Sequence, residues 1–64
     1  MGYKIRENRL AKGMTQEELA EKSGVSRATI SAMESGEVKH VLTSTLLKLA
    51  QALETTVEQI FFFD

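Results

Sequence analysis

Apolar positions in this chain recur at helical rather than strand spacing. Leu46, Leu49, Ala50 and Leu53 follow i, i+3, i+4 and i+7, the stripe of a helix buried along one side. Ile30 and Met33 are three apart and share a face, with Arg27, Ala28, Ser31 and Ala32 largely on the other. Ile5 to Lys12 contains no breaker and reads as a first helix, closed by Gly13, which can take the positive φ of a C-terminal cap. Thr15-Gln16-Glu17-Glu18 is a capping box, in which the threonine hydroxyl accepts from the Glu18 amide and the carboxylate reaches back. Met14 and Leu19 stand where a hydrophobic staple needs them, so a second helix is expected from about Gln16 to Ser23, with Gly24 as its stop. Ser26 caps a third, with Val25 and Ile30 as its staple pair, and Gly36 ends it. Residues 37–42 have poor periodicity and read as a loop, after which Thr43 is the expected cap of the fourth helix. Thr56 and Gln59 repeat the capping-box pattern and open a short fifth helix through about Phe61. No segment alternates with period two. The expected class is all-α, a compact bundle of five short helices.

The connection between the second and third helices is the informative one. Gly24 stops the second helix sharply, and only Val25 and Ser26 precede the third. So short a link forces the two into a compact corner. Ala20, with a single methyl, allows close approach there, and Leu19, Val25, Ile30 and Met33 can fill the inside of the angle. The outer face of the third helix is then left small and polar on a rigid base, a shape able to enter a major groove.

Composition narrows what such a bundle can do. Sixty-four residues make one small domain, 1–64, whose limited core leaves stability marginal without a disulfide, a metal or a partner subunit. There is no cysteine, and the single His40 has no carboxylates spaced to complete a metal site, which leaves self-association. No metal, cofactor or small-molecule ligand is implied, and no ligand-sensing module is expected. The longest apolar run is four residues, Ile60 to Phe63, so neither a membrane span nor a signal peptide is read, and a soluble, cytoplasmic protein is expected. Enzymatic chemistry finds no nucleophile with a partner base and no glycine-rich phosphate loop. The net charge of −1 argues on its face against a nucleic-acid partner. It is segregated, however: residues 1–13 carry Lys4, Arg6, Arg9 and Lys12 against Glu7, while residues 14–38 are net acidic. A basic face can therefore coexist with an acidic one.

The stretch TQEELAEKSGVSRATISAMESG resembles the helix-turn-helix of the Cro/repressor (XRE-like) family of DNA-binding regulators, through Gln16, Leu19-Ala20, Gly24-Val25-Ser26, Ile30 and Glu34. RENRLAKGMTQ is similar to that family's first helix and TLLKLAQALETTVEQIF to its fourth and fifth, so nearly the whole chain is covered. The resemblance implies a lambda-repressor-like DNA-binding domain. It also implies residue roles: Arg27, Ala28, Ser31 and Ala32 facing base edges, and Gln16 and Ser26 at phosphates. Lys39 and His40, in the following loop, would add phosphate contacts. Arg9 and Glu34 match a pair that relatives join as an ion pair between helices one and three. The chemistry agrees, since an arginine can give two hydrogen bonds to guanine O6 and N7, and an alanine can meet a thymine methyl.

Three departures stand out against the family pattern. The 37–42 loop is about one residue longer than usual and lacks its proline; Glu54 occupies a position more often glycine, asparagine or aspartate; and the recognition face is poor in amides and cations. Phe61, Phe62 and Phe63, placed consecutively on a helix, would point in three directions, so an isologous dimer contact through them is expected. The function that follows is a sequence-specific transcriptional regulator of double-stranded DNA, a homodimeric repressor on an inverted-repeat operator, working through the helix at about 26–35. A competing reading is a protein-interaction module such as the antitoxin of a toxin–antitoxin pair, for which the phenylalanine tail could equally serve.

Overall fold

A computed structural model describes residues 2–37 and 40–62. Strand β1 (Gly2–Tyr3) leads into helices α1 (Ile5–Ala11), α2 (Gln16–Ser23), α3 (Arg27–Ser35), α4 (Thr43–Ala52) and α5 (Val57–Ile60), and strand β2 (Phe61–Phe62) follows. The all-α class and its five helices are those the hydrophobic pattern predicts. Each helix delivers at least one fully enclosed apolar side chain to a shared core: Ile5 from α1, Leu19 from α2, Ile30 and Met33 from α3, Leu49 from α4 and Ile60 from α5.

Capping chemistry sets where the chain turns. Thr15 Oγ1 accepts from the Glu18 amide at 3.1 Å while Glu18 Oε1 accepts from the Thr15 amide at 2.9 Å, the reciprocal box expected at the start of α2. That backbone bond, with the threonine hydroxyl, holds the Glu18 carboxyl below the usual carboxylate range. Ser26 caps α3 by accepting from the Thr29 amide at 3.2 Å.

Other boundaries differ from expectation. Thr43 is the first residue of α4 rather than its cap; Leu42 takes the extended N-cap geometry and offers the helix no side-chain bond. Thr56 is the N-cap of α5, but no side-chain capping bond forms, so the second capping box is absent. Helix α5 stops at Ile60, where the chain turns extended at φ −132° and ψ 129°. The reason lies across the molecule. The Lys4 amide donates to the Ile60 carbonyl at 2.7 Å, and Gly2 and Tyr3 pair antiparallel with Phe62 and Phe61. Asn8 Nδ2 adds bonds to the carbonyls of Lys4 at 2.8 Å and Gln59 at 3.2 Å. Main-chain groups that would have continued α5 are thus taken up by the other end of the chain. Phe61 and Phe62 therefore lie on a strand, not on a helix, and the Phe61 ring packs tilted against Tyr3 with centroids 5.4 Å apart.

Glu54, just beyond α4, is the single non-glycine residue with positive φ among the described residues, at 56°. Its amide donates to the Gln51 carbonyl at 3.1 Å and the Thr55 amide to the Ala50 carbonyl at 2.9 Å, the bond pattern of a left-handed helix end that glycine normally supplies. A Cβ in that conformation is strained by about 1 kcal/mol. The exposed bond from Lys12 Nζ to Glu54 Oε1, 3.1 Å, returns little of it. Glu54→Gly is expected to raise stability by roughly 0.5–1 kcal/mol, an increase of a few degrees in Tm for a domain this size. A melt unchanged or lowered would show the strain to be already relieved.

Candidate nucleic-acid interface

The corner between α2 and α3 is built in four residues. Ser23 is buried, and its Oγ accepts from the Val25 amide at 3.1 Å. Gly24 takes φ +75°, and its amide donates to the Ala20 carbonyl at 2.9 Å. A Cβ added at Gly24 would meet nothing within 4 Å, so it is the left-handed backbone, not lack of space, that calls for glycine. Val25 is buried in the core, Ala20 is packed against it, and Ser26 turns the chain into α3. Arg27, Ala28 and Ser31 are exposed on the outer face of α3, with Ala32 beside them half-buried.

An ion pair locks that corner to the first helix. Arg9 Nε donates to Glu34 Oε2 at 2.8 Å and Nη2 to Glu34 Oε1 at 3.1 Å, with side chains only 10% and 6% exposed. The third guanidinium nitrogen, Nη1, donates to the Met14 carbonyl at 2.7 Å, tying down the link before α2. Gln16 Nε2 completes the set by donating to Glu34 Oε1 at 3.1 Å. Burial pushes the Glu34 carboxyl up, but hydrogen bonds from Arg9 and Gln16 and the charges of Arg9 and Arg6 together hold it below its ordinary 4.5. The same bond to Glu34 raises the Arg9 guanidinium against the opposing effect of burial.

The predicted site residues are placed as follows. Arg9 and Glu34 form the inter-helix pair their spacing in the family pattern implies. Arg27, Ala28, Ser31 and Ala32 are together on α3, and Gln16 stands at the start of α2 with one amide hydrogen engaged. The Ser26 hydroxyl is occupied at the helix end, accepting from the Thr29 amide and donating to Thr29 Oγ1 at 2.9 Å. His40 is exposed. Lys39 and Phe63 lie outside the described residues, as does the Phe62 side chain. What the motif did not reveal is that Gln16 shares the Glu34 carboxylate. Nor did it show that Arg6 lines one surface hollow with Arg9, Gln16, Ser31, Glu34 and Ser35. Arg6 precedes Arg9 by one helical turn, the spacing that places both on one face, and could have been found on that ground.

Comparison with known proteins agrees with this geometry. A helix-turn-helix family profile matches residues 5–60. An uncharacterized HTH-type transcriptional regulator from Archaeoglobus fulgidus is 44% identical over all of this chain and 90% of its own length. Another, from Methanothermobacter thermautotrophicus, is 46% identical over 94% of this chain and 87% of its own. Among solved structures, the restriction-modification controller protein C.AhdI from Aeromonas hydrophila superposes with a TM-score of 0.81 at 40% identity, covering 89% of this chain and 85% of that one. These relatives point to a DNA-binding regulator rather than an enzyme. Among the described residues no helix is long and apolar enough to cross a membrane, and no group of side chains could hold a metal ion.

The lowered Glu34 carboxyl fixes a pH dependence. A folded-state value below the unfolded one contributes stability that is complete above the unfolded value and lost as pH falls through the folded one. Glu34→Gln should therefore destabilise the protein at pH 7 by about 3 kcal/mol, because Arg9 is left buried without its counter-charge. The gap between variant and parent should narrow as the pH falls below the ordinary carboxylate value and through the lowered Glu34 one. Urea unfolding at several pH values measures it, and a gap that stays constant into acid would contradict the charge-based account.

Proposed function

This chain belongs to the Cro/repressor-type helix-turn-helix family of DNA-binding regulators, and on that premise we propose that it is a cytoplasmic repressor that binds an inverted-repeat operator as a homodimer. The observation that carries the reading is the outer face of α3, where Arg27, Ala28 and Ser31 are exposed on a helix braced from behind by the Arg9–Glu34 pair. In this reading α3 enters the major groove, Arg27 addresses a guanine, and Ala28 and Ala32 meet thymine methyls or leave the groove wall uncontacted. Ser31 contributes a hydroxyl to either kind of base. Gln16 grips a phosphate, Ser26 adds another once its hydroxyl hydrogen turns from Thr29 Oγ1 to the duplex, and Lys39 and His40 of the following loop are further backbone contacts. One arginine among small side chains leaves much of the discrimination to DNA shape. Repression then needs only occupancy of the promoter.

Two-fold operators call for two-fold proteins. The C-terminal Phe61, Phe62 and Phe63 are the proposed dimer contact. Phe61 packs its ring against Tyr3 and is half-buried. Serine at both Phe62 and Phe63 should shift sedimentation toward the monomer and weaken DNA binding in parallel. A dimer that persists unchanged in that variant would place the interface elsewhere.

The decisive experiment is selection from a random duplex pool. An enriched inverted repeat with half-sites centred about 10–10.5 bp apart is expected. Arg27→Ala should then relax preference at one position of each half-site, by roughly 1–3 kcal/mol. A pool with no enriched repeat, or an Arg27→Ala variant with undiminished preference everywhere, would remove the reading.

A further inference from the structure

The polar surface of α3 continues beyond its own exposed ridge. Where α1, the start of α2 and α3 meet, the surface is hollowed, and Ser31 belongs both to this hollow and to the outer face of α3. The groups lining it are not equivalent. Arg9 and Glu34 satisfy one another. The Ser35 hydroxyl is directed at the Ala32 carbonyl, 3.0 Å away, and at Glu37 Oε1, 3.1 Å away. Gln16 has given one amide hydrogen to Glu34 and keeps a second. Arg6 differs from all of these: its side chain is exposed, and it makes no hydrogen bond or ion pair with another described residue. Its charge is nevertheless near enough to favour ionised Glu34. Among the side chains that line the hollow, two guanidinium groups stand against one carboxylate, and the Glu37 carboxylate reaches it through the Ser35 hydroxyl.

We propose that this hollow is a phosphate seat in which Arg6 of α1 and the remaining amide hydrogen of Gln16 hold one backbone phosphate of the duplex that α3 reads. The inference rests on the proposed DNA-binding mode and adds to it a contact from a helix outside the helix-turn-helix. A guanidinium suits the task, because its planar fork can bond two phosphate oxygens at once. Arg9 is less suited, since three of its five donors are committed to Glu34 and the Met14 carbonyl and its side chain is only 10% exposed. The occupant is a duplex phosphate rather than a free anion because the hollow is open and runs into the exposed face of α3 through Ser31. Gln16 then has two roles, bracing Glu34 with one hydrogen and gripping DNA with the other.

The test is a salt titration of binding to the duplex recovered by selection and to a scrambled duplex, for the parent, Arg6→Gln and Arg6→Lys. Arg6→Gln should flatten the slope of log affinity against log salt by about one per bound protomer, with the same fractional loss on both duplexes. Arg6→Lys should restore most of the slope. Combined with Gln16→Ala, Arg6→Gln should cost less than the product of the two separate losses, because both groups hold one phosphate. A parent that shows a steep slope while Arg6→Gln matches it overturns the phosphate seat and leaves the DNA-binding reading standing. A fall in Tm of Arg6→Gln with an unaltered slope overturns it too, by assigning Arg6 to the support of Glu34. A parent whose duplex binding is insensitive to salt removes both proposals.

Discussion

Taking a guanidinium and a carboxylate out of water costs several kcal/mol per ion, about as much as many small domains have in total stability. Arg9 and Glu34 meet that cost only because their bonding is nearly complete. Three guanidinium nitrogens have acceptors, one carboxylate oxygen accepts twice, and no buried side-chain nitrogen or oxygen is left without a partner among the described residues. The acceptors and donors come from α1, the α1–α2 link, α2 and α3. Geometry at this one point therefore fixes the relative placement of three helices, which generic apolar packing would specify less sharply. The core beneath it, from Ile5 to Ile60, contributes most of the stabilisation but is tolerant of small shifts.

That arrangement makes the outer face of α3 a rigid object. Gln16 and the α3 ridge are joined through the same carboxylate, so the group proposed to grip the backbone and the groups proposed to read bases cannot move independently. The corner behind them is equally constrained, by the left-handed Gly24 and by Ser23 turned in on the Val25 amide. A reading head this stiff leaves adaptation to the duplex, in keeping with a face of few cations and small side chains.

Much of this was legible in the amino-acid order because the responsible signals are local. A threonine three residues before a glutamate, glycines after apolar stripes and the 46–53 periodicity each depend on neighbours within a turn or two, and they placed α2, α3 and α4 well. The Arg9–Glu34 pair was accessible only through family resemblance, since its partners are 25 residues apart. What escaped has a common cause. The end of α5 and the pairing of Phe61 and Phe62 are decided by bonds to Gly2, Tyr3 and Lys4, and nothing within the local C-terminal sequence announces them. The Thr56 box pattern was present but idle, for a four-residue helix held by that pairing does not depend on its cap. The hollow beside α3 escaped likewise, because it draws on three helices at once.

The clasp between the two ends has an entropic corollary. Joining Gly2 to Phe62 closes a loop of nearly the whole chain, at a price of roughly 4 kcal/mol if nothing else were in place. Two residue pairs, the Lys4–Ile60 and Asn8–Gln59 bonds and one ring contact could not hold such a loop shut by themselves. Once the core has gathered, however, the gap left to bridge is short and the same bonds suffice. The paired termini thus act as a latch that only the assembled body can engage, and their order is a report on the completeness of everything between them.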